Sequence, residues 1–297
     1  MKPERGKHGV GLAFALEGAA IVLCALVMLD VAWHRRDDPF VINQFGYRGP
    51  ARASKRPGER RVVIVGGSAA FDGRVVWSAT LGPALVRAMN ALEGVPDETP
   101  FADVQNVSQA LDGADSYVTT LREYSYLRPD VVLVYDGYDA VGNQPHGRHA
   151  SAVFRSTGYL PILFGQRSRR GPAPFETTPA LRDDVTPAAD PSCTGSFREY
   201  CASMTDTVRF ARAAGHAVVV VTPPYISKRH RLQQQSIAAE LAHRFAGDAR
   251  FQQVNLGEIV DLGDRRHSFD GVHTTHSANQ IIARALARPV VDLLEQR

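Results

Sequence analysis

Two short segments of the sequence carry side chains that could form a serine nucleophile and its base. Gly66-Gly67-Ser68 follows an apolar run, and Asp270-Gly271-Val272-His273 lies near the end of the chain. Two glycines let the chain turn sharply, which would place Ser68 at the start of a helix, where its backbone N–H can stabilise an oxyanion. A carboxylate three residues before a histidine can accept the imidazole Nδ1–H and leave Nε2 as a general base. The pattern predicts Ser68 as nucleophile with His273 and Asp270.

Each segment also has a purely structural interpretation. Ser68 could be only a helix cap or part of a phosphate cradle, and Asp270 could be a turn residue beside an exposed His273. The first segment also lacks the second glycine of a G-x-S-x-G elbow, which argues against an α/β-hydrolase. The catalytic interpretation is favoured if both segments follow strands of one parallel sheet, because they would then converge on one edge.

A metal site is the rival interpretation of the second segment. Four potential ligands occur at intervals of three: His267, Asp270, His273 and His276. On a helix, steps of three turn the outer two side chains to opposite sides, so we expect no metal ion and no cofactor. Five other histidines have no partner spacing and are expected at the surface: His146, His149, His216, His230 and His243.

Five apolar, β-branched runs predict strands: Arg61 to Val65, Val104 to Val107, Val131 to Tyr135, Ala217 to Thr222 and Gln253 to Leu256. Segments with apolar residues three and four apart predict helices between and after them: Val76 to Leu92, Ser116 to Leu127, Phe197 to Ala214, Ser227 to Phe245 and Ser277 to Leu294. Strand and helix in alternation predict a parallel sheet with helices on both faces. Ligands bind beyond the carboxyl ends of such strands.

The chain divides into three parts by composition. Residues 1–36 form a tail and a candidate transmembrane anchor, residues 37–60 a polar connector, and residues 61–297 one domain. The alternation of predicted strands and helices is interrupted by an irregular insertion at about residues 141–191, a stretch rich in Pro, Gly, Arg and Ser. Long insertions of this kind are usually functional lids or mobile linkers, and we expect this one to shape a pocket.

The anchor is predicted from an almost continuous apolar run between Val10 and Leu29, closed by Trp33 and His34-Arg35-Arg36. Its apolar residues contribute roughly −3 to −6 kcal/mol to insertion, and Glu17 costs about 3 kcal/mol or less. A retained single span is therefore favoured. A cleaved signal peptide and a buried helix are the alternatives, although no A-x-A-like cleavage site follows the run.

Charge and cysteine usage limit the partners and the compartment. The chain has 297 residues and a formal net charge of +3. This positive charge is too small to indicate a nucleic-acid-binding surface. Cys193 and Cys201 are the only cysteines outside the apolar run. A bridge between them would suit an oxidising compartment outside the cytoplasm, whereas two unrelated thiols would carry no such information.

In these motifs the chain resembles the SGNH/GDSL hydrolases, specifically bacterial forms with an N-terminal membrane anchor. The matching segments are Asn43 to Gly49, Gly66 to Ser68, Asn106 to Ser116, Leu127 to Asp130, Asp136 to Asp139, Asp270 to His273 and Ala278 to Ala283. The resemblance implies a flavodoxin-like, three-layer α/β/α sandwich around a parallel sheet of about five strands. It also implies Ser68 as nucleophile, His273 as base and Asp270 as orienting acid, with the Ser68 and Gly113 amides and an Asn side chain as oxyanion donors.

The sequence departs from the family at that Asn. The family pattern is Gly-x-Asn-Asp, and here it reads Gly137-Tyr138-Asp139-Ala140. An ionised Asp139 would repel a developing oxyanion, and loss of one neutral donor costs about 100- to 1000-fold in rate. Three interpretations stay open: burial keeps Asp139 protonated so that it donates, Asn143 or Tyr138 supplies the donor, or catalysis is reduced or absent.

The sequence thus predicts a single-pass, membrane-anchored serine esterase whose domain is extracytoplasmic, in the periplasm or on the cell surface. Its substrate would be an acyl ester, either O-acetyl groups on a glycan or a lipid ester. The alternatives are an O-acyltransferase and a catalytically impaired domain that serves as an envelope glycan-binding or assembly scaffold.

Overall fold

Five parallel strands form the centre of the domain. They are β1 (Arg61–Gly66), β2 (Asp103–Asn106), β3 (Val131–Tyr135), β4 (Ala217–Thr222) and β5 (Phe251–Asn255), in the spatial order β2-β1-β3-β4-β5. A computed structural model describes residues 7–34, 42–52, 54–136, 147–161 and 190–296. The inner three strands are buried along their whole length, as their near-continuous Val, Ile and Leu content predicts. The predicted parallel sheet is confirmed.

Helices cover both faces of this sheet. The described helices are α1 (Lys7–His34), α2 (Ser68–Phe71), α3 (Leu81–Glu93), α4 (Tyr117–Glu123), α5 (Gly147–Ala150), α6 (Ala152–Thr157), α7 (Arg198–Ala213), α8 (Lys228–Arg244) and α9 (His276–Glu295). The apolar residues of α3 and α9 pack on one face, and those of α4, α7 and α8 on the other. The predicted three-layer sandwich is confirmed.

The helix predicted from Val76 begins five residues later. Trp77–Ala79 forms a separate 3₁₀ turn, and Thr80 is extended before α3 begins at Leu81. Pro83 lies in the first turn of α3, where a backbone N–H has no intrahelical partner to lose. The helix predicted from Ser116 is likewise interrupted, because 3₁₀ turns flank α4 on both sides.

The connector takes part in the core of the domain. Tyr47 and Arg48 are almost completely buried, and Ile42 pairs with Arg48 in an antiparallel bridge. The Arg48 guanidinium donates hydrogen bonds to the carbonyl oxygens of Asp72 (2.6 Å) and Val75 (2.6 Å). These bonds join the segment that follows the anchor to the loop behind α2.

The described part of the predicted irregular insertion, residues 147–161, carries α5 and α6 and packs into the protein. Phe154 and Leu160 join Tyr47 and Tyr124 in a third apolar cluster. Residues 141–146 and 162–189 of the insertion lie outside the described residues.

From Phe14 onward, helix α1 is largely apolar and mostly exposed until its last turns. Its segment Phe14–His34 is long and apolar enough to cross a membrane, and little of it is buried inside the protein. Asp30 and His34, near its end, are buried against the domain. The Tyr159 hydroxyl donates a hydrogen bond to Asp30, and His34 contacts the carbonyl oxygens of Ile42 and Leu160.

Cys193 and Cys201 form a disulfide that joins the loop before α7 to its first turn. Cys24 in α1 is a free, exposed thiol. Of the two alternatives left open by the sequence, a Cys193–Cys201 bridge or two unrelated thiols, the structure contains the bridge.

Reduction of this disulfide should destabilise the domain. Closing a loop of this length removes unfolded-state entropy worth about 2 to 3 kcal/mol, so Cys193→Ser should lower the free energy of unfolding by that amount. Urea titration of the detergent-solubilised chain, followed by tryptophan fluorescence, measures the difference. Cys24→Ser is the matched control and should leave the midpoint unchanged; equal midpoints for all three proteins would contradict the prediction.

Candidate active site

Ser68 is the first residue of α2, directly beyond the carboxyl end of β1. The turn between them depends on Gly66, where an added Cβ would lie 2.1 Å from the carbonyl oxygen of Tyr135 and 2.8 Å from the Cβ of Ala70. Only glycine, which has no Cβ, allows the backbone at this position to lie so close to both β3 and α2. The predicted turn therefore places Ser68 at the carboxyl edge of the sheet.

Asp270 and His273 form a hydrogen-bonded pair at a tight turn. Asp270 Oδ2 lies 2.8 Å from His273 Nδ1, and Oδ1 accepts the backbone N–H groups of Val272 (3.0 Å) and His273 (2.8 Å). Gly271 supplies the left-handed backbone of this turn, with φ +80°. A carboxylate at Nδ1 favours the tautomer that leaves Nε2 as an acceptor, which is the form a general base requires.

These contacts keep Asp270 charged. Burial alone would raise its pKa, but the hydrogen bonds from the His273 side chain and from the backbone amides of His273 and Val272 hold the pKa well below its usual range. Arg74 also pairs with Asp270, with Nη2 3.0 Å from the same Oδ2 that His273 contacts. The orienting carboxylate thus serves both an imidazole and a guanidinium.

The two predicted segments are joined through Asn279 of α9. Its amide nitrogen donates to Asp72 Oδ2 and to the carbonyl oxygen of Ala79 (3.0 Å), and its amide oxygen accepts from Thr274 Oγ1 (2.8 Å). Asp72 caps the C-terminus of α2, which Ser68 begins, and Thr274 directly follows His273. Together with the Arg74–Asp270 ion pair, these bonds bring the serine and histidine segments to the same edge.

Asp72 is a buried acid with a raised pKa. Burial raises the pKa to about 7, and the Asn279 hydrogen bond and the Arg48 charge reduce the shift without cancelling it. Asp72 also has a left-handed backbone, with φ 57°, a conformation that Asp and Asn tolerate better than most residues.

Gly113, the predicted second oxyanion donor, is buried and directly precedes a 3₁₀ turn after β2. Its neighbour Asp112 is held by two side chains of α5, with Oδ2 3.2 Å from His149 Nε2 and 3.5 Å from Arg148 Nη2. Glu123 contacts the other ring nitrogen of His149 at 2.9 Å. The loop that carries Gly113 is therefore fixed by a buried ionic cluster.

The surface placement expected for His149 and His230 is wrong, because both are 6% exposed. Burial lowers the pKa of His149, but its hydrogen bonds to Asp112 and Glu123 outweigh burial and raise it. The pKa of His230 falls to about 4 through burial alone. His149 is thus stabilised as a cation, whereas His230 is a neutral core residue.

Asp136, at the end of β3, is a second buried acid of the carboxyl edge. It accepts hydrogen bonds from the hydroxyls of Tyr117 (2.7 Å) and Tyr200 and a longer one from the Gln234 amide (3.4 Å). Three helices thus bind the residue from which the Gly137-Tyr138-Asp139 segment departs. Asp139, Tyr138 and Asn143 themselves lie outside the described residues.

Within the described ranges, no group of three His, Cys, Asp or Glu side chains could hold a metal ion. His276 Nδ1 instead contacts the carbonyl oxygen of Ala79 at 3.3 Å, and Nε2 lies 3.0 Å from the Gln280 amide. These contacts occupy both ring nitrogens of His276.

Sequence reasoning missed Arg74, Asp72 and Arg48 as parts of the site. The sequence held a signal for Asp72, because it follows Ser68 by four residues. Residues four apart on a helix are neighbours, so a helix that begins at Ser68 would bring Asp72 close to it. No spacing rule predicts the reach of a long Arg side chain across the fold.

Replacing the buried acid should change how stability depends on pH. Because the pKa of Asp72 is raised from 3.8 to about 7, the folded state keeps a proton that the unfolded state loses, and stability falls as pH rises from about 4 to 7. Asp72→Asn removes this loss. The free energy of unfolding of the variant should therefore rise relative to that of the wild type across this pH range, by at most about 4 kcal/mol. Urea midpoints at pH 4.5 and 8 measure it; a gap independent of pH would contradict the prediction.

Comparison with known proteins finds likeness at the level of structure. No family model and no curated protein matches the chain. Similar solved structures include the esterase EstA from Pseudoalteromonas sp. (12% identity, 80% of this chain and 100% of that chain, TM-score 0.46). A carbohydrate esterase family 3 protein from Talaromyces cellulolyticus has 12% identity over 80% of this chain and 99% of that chain, with a TM-score of 0.47. A GDSL-like lipase from Bacteroides thetaiotaomicron has 13% identity over 81% of this chain and 92% of that chain, with a TM-score of 0.43.

Proposed function

We propose that this protein is a serine esterase that cleaves an acyl ester with Ser68, His273 and Asp270. The observation that carries the proposal is the Asp270–His273 pair at the carboxyl edge, tied to the loop behind Ser68 through Arg74. The similar solved structures include proteins described as esterases and as a lipase, which agrees with this chemistry.

In the proposed mechanism, Ser68 Oγ attacks the acyl carbon while His273 Nε2 takes the hydroxyl proton. The tetrahedral oxyanion accepts hydrogen bonds from the Ser68 and Gly113 amides. The ester C–O bond then breaks, and His273 returns its proton to the departing alcohol. Water, deprotonated by His273, attacks the acyl-enzyme and releases the acid and Ser68.

Asp270 supports this cycle electrostatically. His273 becomes an imidazolium each time it takes a proton, and the charged Asp270 stabilises that cation and fixes the ring orientation. The Arg74 guanidinium neutralises part of the same carboxylate charge. Asp270 therefore contacts both the base and a fixed cation.

We further propose that α1 is a retained anchor and that the domain is extracytoplasmic. Retention is supported by the buried contacts of Asp30 and His34 with the domain, which a cleaved signal peptide would not make. The oxidising compartment is supported by the Cys193–Cys201 disulfide.

A catalytically impaired scaffold is the second candidate function, and Asp139 is the observation that favours it. A charged carboxylate in place of an Asn donor would weaken the oxyanion site. An O-acyltransferase would use the same serine chemistry with a sugar hydroxyl in place of water.

Ser68→Ala should abolish turnover of p-nitrophenyl acetate, because the acyl-enzyme can no longer form. A fluorophosphonate probe should label the wild type and not this variant. Ser78→Ala, at an exposed serine of the neighbouring 3₁₀ turn, is the matched control and should keep both activity and labelling. Activity that survives Ser68→Ala would remove the serine mechanism, and activity abolished by chelator would favour a metal-dependent one.

Asp139→Asn should raise kcat for the same ester by about 10-fold or more, because an amide donates where an ionised carboxylate repels. The amide also restores the residue type of the family pattern. A decrease in kcat would show that Asp139 acts as a protonated donor, and an unchanged kcat would place it away from the oxyanion.

A further inference from the structure

The end of α1 and the nucleophile helix α2 are linked by a short series of contacts. His34 Nδ1 contacts the Ile42 carbonyl oxygen at 3.1 Å, and Ile42 pairs through its backbone with Arg48. Arg48 Nη1 donates to the carbonyl oxygens of Phe71 (3.2 Å) and Asp72 (2.6 Å), at the end of α2. One strand pairing, one Arg side chain and a four-residue helix therefore separate the anchor from Ser68, a path on the order of 20 Å.

Further contacts fix the same junction from the side of α5 and α6. His34 Nε2 lies 3.0 Å from the Leu160 carbonyl oxygen, and the Leu160 amide donates to Gln44. Arg148 Nη2 donates to the carbonyl oxygen of Val107 (2.7 Å), the first residue beyond β2. The end of the anchor thus contacts Ile42 and Leu160. The segment that carries Leu160 also carries Arg148, which reaches the residue just beyond the carboxyl end of β2.

Exposed apolar side chains accompany the site residues at this edge. Leu111 is 64% exposed, has a left-handed backbone with φ 71°, and lies two residues before Gly113. Val76 is 36% exposed, two residues after Arg74. Transfer of each of these apolar side chains from water to a lipid surface is favourable.

We propose that the carboxyl edge faces the bilayer, so that the substrate is an acyl ester carried by a lipid or a lipid-linked molecule at the membrane surface. The proposal rests on the esterase function and on the retained anchor proposed above. It assigns the docked Asp30–His34 turn a specific role, which is to hold the site toward the lipid head groups. A freely diffusing ester would need no such orientation.

Two esters with the same reacting group test this substrate class. One is a 7-acetoxycoumarin-3-carboxamide attached to the amine of phosphatidylethanolamine, and the other is the same amide of ethanolamine, which stays in water. The full chain is reconstituted in phosphatidylcholine vesicles, and kcat/KM is measured for both esters.

The comparison variant loosens the domain from its anchor. It combines His34→Ala and Tyr159→Phe with an insertion of 20 Gly and Ser residues between Asp37 and Asp38, a linker of about 25 Å. If the site faces the bilayer, kcat/KM for the lipid ester should fall at least 10-fold, and the value for the soluble ester should stay within twofold. If the site faces away, loosening would leave the lipid-ester rate unchanged or raise it, which would overturn the proposal.

A fluorescence measurement tests the orientation without any catalysis. In a Cys24→Ser background, bimane is attached at Leu111→Cys or at Leu92→Cys, and quenching by head-group nitroxide lipid is compared. Leu92 is the matched control, because it is also an exposed leucine. It lies near the C-terminus of α3, about 20 Å along that helix from its first residue, toward the amino edge of the sheet. We expect several-fold stronger quenching at 111; equal or stronger quenching at 92 would overturn the proposal. If neither ester is hydrolysed, the esterase function fails, and the quenching ratio still decides the orientation.

Discussion

The side-chain amide of Asn279 holds the two halves of the candidate site together. A Ser68 helix and a His273 turn come from positions about 200 residues apart in the chain, and neither segment can fix the position of the other through its own backbone. The amide offers a donor to Asp72 behind α2 and an acceptor to Thr274 beside His273. Because an amide presents both functions in one rigid plane, it sets the separation of the two segments as well as their contact.

The acids at this edge show how environment assigns different charge states to one side-chain type. Asp270 receives two backbone amides and an imidazole, so its ionised form is stabilised. Asp72 is buried more deeply, which raises its pKa to about 7 although one amide donor and the Arg48 guanidinium lower it. Desolvation acts on both, and the number of donors decides which acid keeps its proton.

Most of the fold and the contact between Asp270 and His273 could be predicted because they depend on local patterns. Val131 to Tyr135 and Ala217 to Thr222 have the strand bounds predicted from their apolar runs. Asp270 and His273 contact each other through a turn of four residues, so their spacing already contains the geometry.

The unpredicted features depend on distant parts of the chain. His149 is buried because Asp112 and Glu123, from another part of the chain, provide two carboxylates for its ring. Arg48 is buried because three backbone carbonyls surround its guanidinium. Sequence periodicity carries no information about such partners, since a polar residue that will be satisfied in the core looks like a surface residue.

The network at Asp136 has a consequence for how the domain assembles. One carboxylate accepts bonds from Tyr117 of α4, Tyr200 of α7 and Gln234 of α8, and it lies buried at the end of the central strand. A buried carboxyl group is costly until most of its hydrogen-bond partners are in place, so a state with only one of these helices formed gains little from the contact. The three helices of that face and β3 should consequently order as one cooperative unit rather than in separate steps.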